Sequence, residues 1–154
     1  MNKASFLLLS FLISVATALT TSCIKEGCPD REAMNYDVDA KRDDGSCIYQ
    51  GDVVIWCDEL AAAGLVHDGA TIMTYYVDGK RIGSAEANIY WTGAPECGQP
   101  GSMGVTEEWE NSRTHTYSYS VVDQTGWEYW GGSRMLMANT CTKIHLTWVK
   151  RKKK

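Results

Sequence analysis

The sequence predicts an all-β protein, a β-sandwich preceded by a small turn-rich module stapled by a disulfide. Three observations carry this. From about Gly51 onward, short apolar or alternating segments recur between Gly, Asn and Asp clusters. Residues 27–49 are polar and turn-rich, with too little apolar content to fold by burial alone. Six cysteines stand in a chain of 154 residues that opens on an export-like segment. The length suits one domain with a satellite, and 44% hydrophobic residues with 14 Gly and 3 Pro exclude a disordered or collagen-like chain.

Lys3 precedes an apolar run from Phe6 to Leu19, broken by Ser10, Ser14 and Thr17, and the next charge is Lys25. The run is shorter than the roughly 20 residues of a bilayer-spanning helix, so residues 1–22 read as a secretory signal peptide. Leu19-Thr20-Thr21-Ser22-Cys23 resembles a bacterial lipobox, which implies acylation of Cys23; the alternative is ordinary cleavage near Ser22 with Cys23 left for a disulfide. Ile24-Lys25-Glu26 resembles the Lys-plus-acid signal that sends some lipoproteins to the cell surface. Together these resemblances imply an exported outer membrane lipoprotein, facing the periplasm or the surface and held to the membrane through its lipid.

Residues 23–50 form the anchor and the acidic module, where a staple is expected. Six cysteines allow fifteen pairings, so connectivity is open, but the local pattern favours Cys28 with Cys47 and Cys97 with Cys141, leaving Cys57 as a buried thiol. No CxxC or close His/Cys cluster supports a metal reading for the cysteines. The motif residues Gly27, Cys28, Asp30, Ala33, Asn35, Tyr36, Ala40, Asp43, Asp44, Gly45, Ser46 and Cys47 resemble a short repeat-like module of secreted and surface proteins in Gram-negative environmental bacteria. Pro29, Arg31 and Val38 depart from its usual Thr and two Pro. Asp37, Asp39, Asp43 and Asp44 offer hard oxygen ligands from one loop, which is calcium chemistry. The spacing is not that of an EF-hand, because Lys41 and Arg42 fall where a ligand and a Gly belong when counting starts at Asp37. Side-chain capping of turns is the competing explanation.

Residues 51–149 form the body. Strands are expected at Val53–Cys57, Thr71–Val77, Lys80–Ser84, Asn88–Trp91, Thr114–Val122, Arg134–Ala138 and Lys143–Val149. Asp78-Gly79 is a two-residue hairpin turn, and Asp58–Val66 is the one helical candidate. Along Thr114–Val122, His115, Tyr117, Tyr119 and Val121 share a face, as do Ile144, Leu146 and Trp148 at the end. About seven strands in this span predict a β-sandwich of immunoglobulin-like or related topology. The order of hairpin, Cys97 loop, polar-aromatic strand and Cys141 strand resembles small β-sandwich domains of bacterial lipoproteins, which implies fold and location more than chemistry.

Residues 150–154 are a basic tail of five cations. Residues 1–22 carry only Lys3, leaving 14 cations against 19 acids, a net charge of −5, and −10 without the tail. An acidic exported body argues against nucleic acid. The tail reads as a solvated end, with attraction to anionic lipid head groups as the alternative.

Neither a nucleophile elbow, a phosphate loop nor a zinc-protease helix occurs. His67, His115 and His145 are far apart in sequence, and Glu107, Glu108 and Glu110 flank Trp109 as either a glycosidase-like acid pair or a solvated acidic loop. Aromatics are the better lead. Trp127 and Tyr129 share one strand face and Trp130 the other, and an exposed ring with Glu128 or Arg134 beside it makes a platform for a sugar or peptide; core packing is the competing reading. The expectation is a non-catalytic, lipid-anchored structural or binding module, with a glycan- or peptide-binding accessory lipoprotein of an uptake system as the alternative and a hydrolase third.

Overall fold

The computed structural model describes residues 24–148. The segment expected to be a signal peptide, the expected acylation position Cys23 and the basic tail lie outside the described residues.

The module folds around short polar side chains. Strands β1 (Glu26–Gly27) and β2 (Arg42–Asp43) pair in parallel, and Cys28 is bridged to Cys47. Asn35 acts as its central strut: the side-chain amide donates to the Ser46 carbonyl at 2.6 Å and accepts from the Ile48 amide at 2.9 Å. Its buried apolar content is only the disulfide with Ala33 and Ala40, so local hydrogen bonds and the staple replace a core.

The body is all-β, two sheets on one hydrophobic core. Strand β3 (Ile48–Cys57) is the centre of the first sheet, with β6 (Met103–Glu110) antiparallel on one side and β9 (Cys141–Leu146) parallel on the other. The second sheet runs β5 (Lys80–Glu86), β4 (Ile72–Val77), β7 (Thr114–Asp123), β8 (Glu128–Met137), all antiparallel. Val53, Ile55, Ile144 and Leu146 from the first sheet meet Met73, Val77, Tyr117, Val121 and Leu136 from the second, each almost fully buried. The alternation expected on β7 is therefore observed, with Tyr117 and Val121 inward. Lettering the body strands A to G gives sheet orders D-A-G and C-B-E-F, whereas an immunoglobulin domain pairs ABED against CFG.

Local chemistry explains the connections. Asp78 and Gly79 both take positive φ, 46° and 72°, as a tight hairpin turn between right-twisted strands requires. Helix α1 (Glu59–His67), expected over Asp58–Val66, starts where Asp58 caps it by accepting the Ala61 amide. The aromatic ring of Trp148 lies across Gly64 of α1, where any Cβ would collide with it.

Three expectations change. The body begins at Ile48, so the boundary placed after residue 50 falls inside β3. Asn88–Trp91 is not a strand: it opens the loop that runs from β5 to β6 and is pinned by Cys97–Cys141, with the Trp91 amide donating to the Cys57 carbonyl. The acidic segment around Trp109 is strand β6, not a loop. It pairs along its whole length with β3 while Trp109 turns inward, stacked near Tyr49 and His115.

Candidate functional site

The module is bolted to the end of the sandwich. Arg113, in the β6–β7 turn, donates to both carboxylate oxygens of Asp30 at 2.7 and 2.8 Å and to Glu32 at 3.2 Å. Tyr49 of β3 donates to the same Asp30 at 2.8 Å, and Asn139 in the β8–β9 turn donates to the Glu32 carbonyl. The Arg113 guanidinium above all, with the Glu32 amide, holds the Asp30 carboxyl down at about 2. The segment after Cys23 therefore leads into a base fixed to the body at several points.

The four aspartates named for calcium do not converge. Asp37 pairs with Lys25 at 2.7 Å and accepts the Asp39 amide; Lys25 first, then that amide, keeps its carboxyl below the usual range. Asp39 lies 3.7 Å from the same ammonium. Asp43 caps Gly45, and Asp44 caps Ser46, whose hydrogen bonds lower its pKa. Among the described residues, no three His, Cys, Asp or Glu side chains group where they would hold a metal ion. Turn capping and the Lys25 ammonium engage oxygens of these carboxylates, the arrangement that the competing explanation expects.

The aromatic corner is divided by its loop. Asp123, buried at the end of β7, accepts from Thr125 and from the Trp127 amide, building the tight turn that carries Gly126 at φ 81°. Trp130 is a core residue, 9% exposed, whose indole donates to the Thr147 carbonyl at 2.8 Å. It is not a platform, because its face is spent on the inter-sheet core. Trp127 and Tyr129 are half-buried, with Tyr129 packed against the core and 5.7 Å from Trp130.

The histidines are each tied to a carboxylate. His145 lies 3.0 Å from Asp58 and stacks on Trp56 with ring centroids 4.0 Å apart; His115 lies 3.4 Å from Asp78, and His67 is 3.7 Å from Asp68. In strand β6 the Glu108 and Glu110 side chains alternate away from Glu107, so the flanking carboxylates divide between the two faces. Burial pushes the Cys57 thiol up to about 11, and it donates to the Ile89 carbonyl. Both expected disulfides, Cys28–Cys47 and Cys97–Cys141, are formed.

A cleft of about 470 Å³ opens between the Cys97–Gln99 segment and the β3–β6 ladder, with Asp52 accepting from Thr106 at 2.6 Å on its wall. Sequence reading missed this cleft because its floor is the pairing of β3 with β6, which was not expected from the sequence. Compared with known proteins, the chain matches no family model, no curated protein and no solved structure.

Proposed function

We propose that the protein is a non-catalytic, lipid-anchored module of the bacterial cell envelope or surface, acting as a structural or binding element. The observation that carries this reading is the fixed base: the residue that follows the acylated Cys23 enters a disulfide-stapled module locked to the sandwich through Arg113, Tyr49 and Asn139. Such a base holds the body in one attitude relative to its anchor, where a flexible linker would let it tumble. Two disulfides suit an exported location. The raised Cys57 thiol and the carboxylate-tied histidines fit structural roles better than catalytic ones.

Intact mass of protein extracted from native membranes, before and after reduction with thiol alkylation, tests this. A mass lacking residues 1–22, carrying acyl chains, with one alkylated thiol before reduction and five after, is expected. A soluble product without lipid overturns it.

The partial exposure of Trp127 and Tyr129 favours a second reading, a glycan- or peptide-binding accessory protein. Array binding that is lost in Trp127→Ala is its expected signature, and an array without any bound ligand dismisses it.

A further inference from the structure

The cleft of about 470 Å³ beside the Cys97–Gln99 segment has walls that are fixed before anything enters it. Asp52 and Thr106, paired across β3 and β6, alternate with the core residue Val53 and so stand on the outer face of the first sheet. Gly104 lies beside them, where a Cβ would meet the Val53 carbonyl at 2.9 Å. The opposite wall is the loop from β5 to β6. It is held down by Cys97–Cys141, by Lys143 donating to Glu96 at 2.7 Å and by the Trp91 amide on the Cys57 carbonyl. A wall pinned in this way has little freedom left to lose on binding, and the volume falls within the roughly 300–1,000 Å³ of small-molecule sites.

Its side chains offer acceptors more than donors. Thr106 gives its hydroxyl hydrogen to Asp52 Oδ1 at 2.6 Å and Ser102 gives its own to the Gln99 carbonyl at 2.7 Å, so each hydroxyl keeps only lone pairs for a ligand. Asp52 Oδ2 takes neither a hydrogen bond nor a cation from the described residues. Gln99 accepts the Glu96 amide on its side-chain oxygen at 2.9 Å, which leaves Nε2 as the side-chain donor of the cleft. Asp52 is also the one charged residue among those that line it.

We propose that this cleft binds a small amine of the amino alcohol class, which includes the amino sugars. A primary ammonium brings one positive charge and three N–H donors, and Asp52 Oδ2, Thr106 Oγ1 and Ser102 Oγ are the acceptors that answer them. A hydroxyl oxygen of the same ligand takes the Gln99 amide. An anion would meet the Asp52 carboxylate without a lining cation to offset it, and a neutral sugar would leave that charge unanswered. No aromatic ring lines the cleft, so stacking adds nothing and the affinity is of about millimolar order. The cleft shares no residue with the Trp127–Tyr129 corner, which makes the inference independent of the glycan reading there and of acylation at Cys23.

Amide NMR on the full chain in non-ionic detergent, titrated with glucosamine and separately with ethanolamine at about pH 6, where both amines are protonated, tests it. The amides of Gly98, Gln99, Gly104 and Thr106 are expected to shift and saturate with at least one of the two, and added salt is expected to weaken the response. Glucose and N-acetylglucosamine, which lack the ammonium, leave those amides in place. Asp52→Asn keeps the side-chain shape and weakens binding about tenfold. Thr106→Val, at an exposed position of an outer strand, weakens it several-fold and serves should Asp52→Asn misfold. The proposal is overturned if neither amine moves these amides, if glucose moves them equally, if binding survives both substitutions undiminished, or if the shifts gather around Trp127 instead. A response to choline equal to that of the primary amines overturns the three-donor arrangement, since its ammonium carries no N–H.

Discussion

Replacing Arg113 by Ala removes the guanidinium that grips Asp30 and Glu32 across the module–body junction. The Asp30 carboxyl, held at about 2 against an ordinary 3.8, sets the scale. Because Arg113 is 58% exposed, solvent screens the pair, so the stability it carries is smaller than that displacement by itself implies. The folded-state pKa is depressed, so this stability is fully present above the unfolded value near 3.8 and is lost as pH falls toward 2. Urea unfolding of the two proteins at neutral pH should show Arg113→Ala the less stable, with the gap closing between pH 4 and pH 2. Carbon-detected titration of Asp30 should place its pKa at about 2 in the unaltered protein and higher in the variant. A gap independent of pH, or an Asp30 that titrates identically in both, refutes the assignment of the junction to this pair.

Gly64→Ala should destabilise the protein by about 1 to 3 kcal/mol by displacing Trp148, although helix propensity alone favours Ala by roughly 1 kcal/mol; a raised melting temperature would contradict the contact. Replacing Cys97 and Cys141 together by Ser frees a 44-residue loop, for which the chain-entropy model gives a loss of about 4 kcal/mol in urea unfolding. The Cys57 thiol, raised from 9.0 to about 11, holds roughly 100-fold less thiolate at pH 8, so iodoacetamide should alkylate it at least that much more slowly in the folded than in the unfolded protein, as followed by mass.

How far the sequence reaches depends on where each feature's cause lies. The Asp78-Gly79 hairpin, the short helix near Asp58–Val66 and the inward face of β7 rest on contacts a few residues apart, and all three are legible. Both disulfides are legible from the local cysteine pattern, the first also because the module between Cys28 and Cys47 has no other core. Strand β6 is not, because its carboxylates give it a polar composition on a sheet edge and only pairing with β3, some fifty to sixty residues earlier, makes it a strand. Trp130 reads as a core ring or as part of an exposed platform, and the choice is made only when Thr147 arrives from the far end of the chain to take its indole hydrogen.

By itself, then, the sequence determined the class of the fold, the polar module and its staple, the turns and the charge of each segment, because periodicity, turn chemistry and composition act over short stretches. Tertiary structure alone decided the parallel pairing of β3 with β9, the grip of Arg113 on Asp30 across 83 residues and the meeting of Val66 with Ile72 and with Tyr90 around neighbouring clefts. Each of these joins residues whose separation along the chain leaves no local trace, and their energies are realised only once two sheets close on a common core.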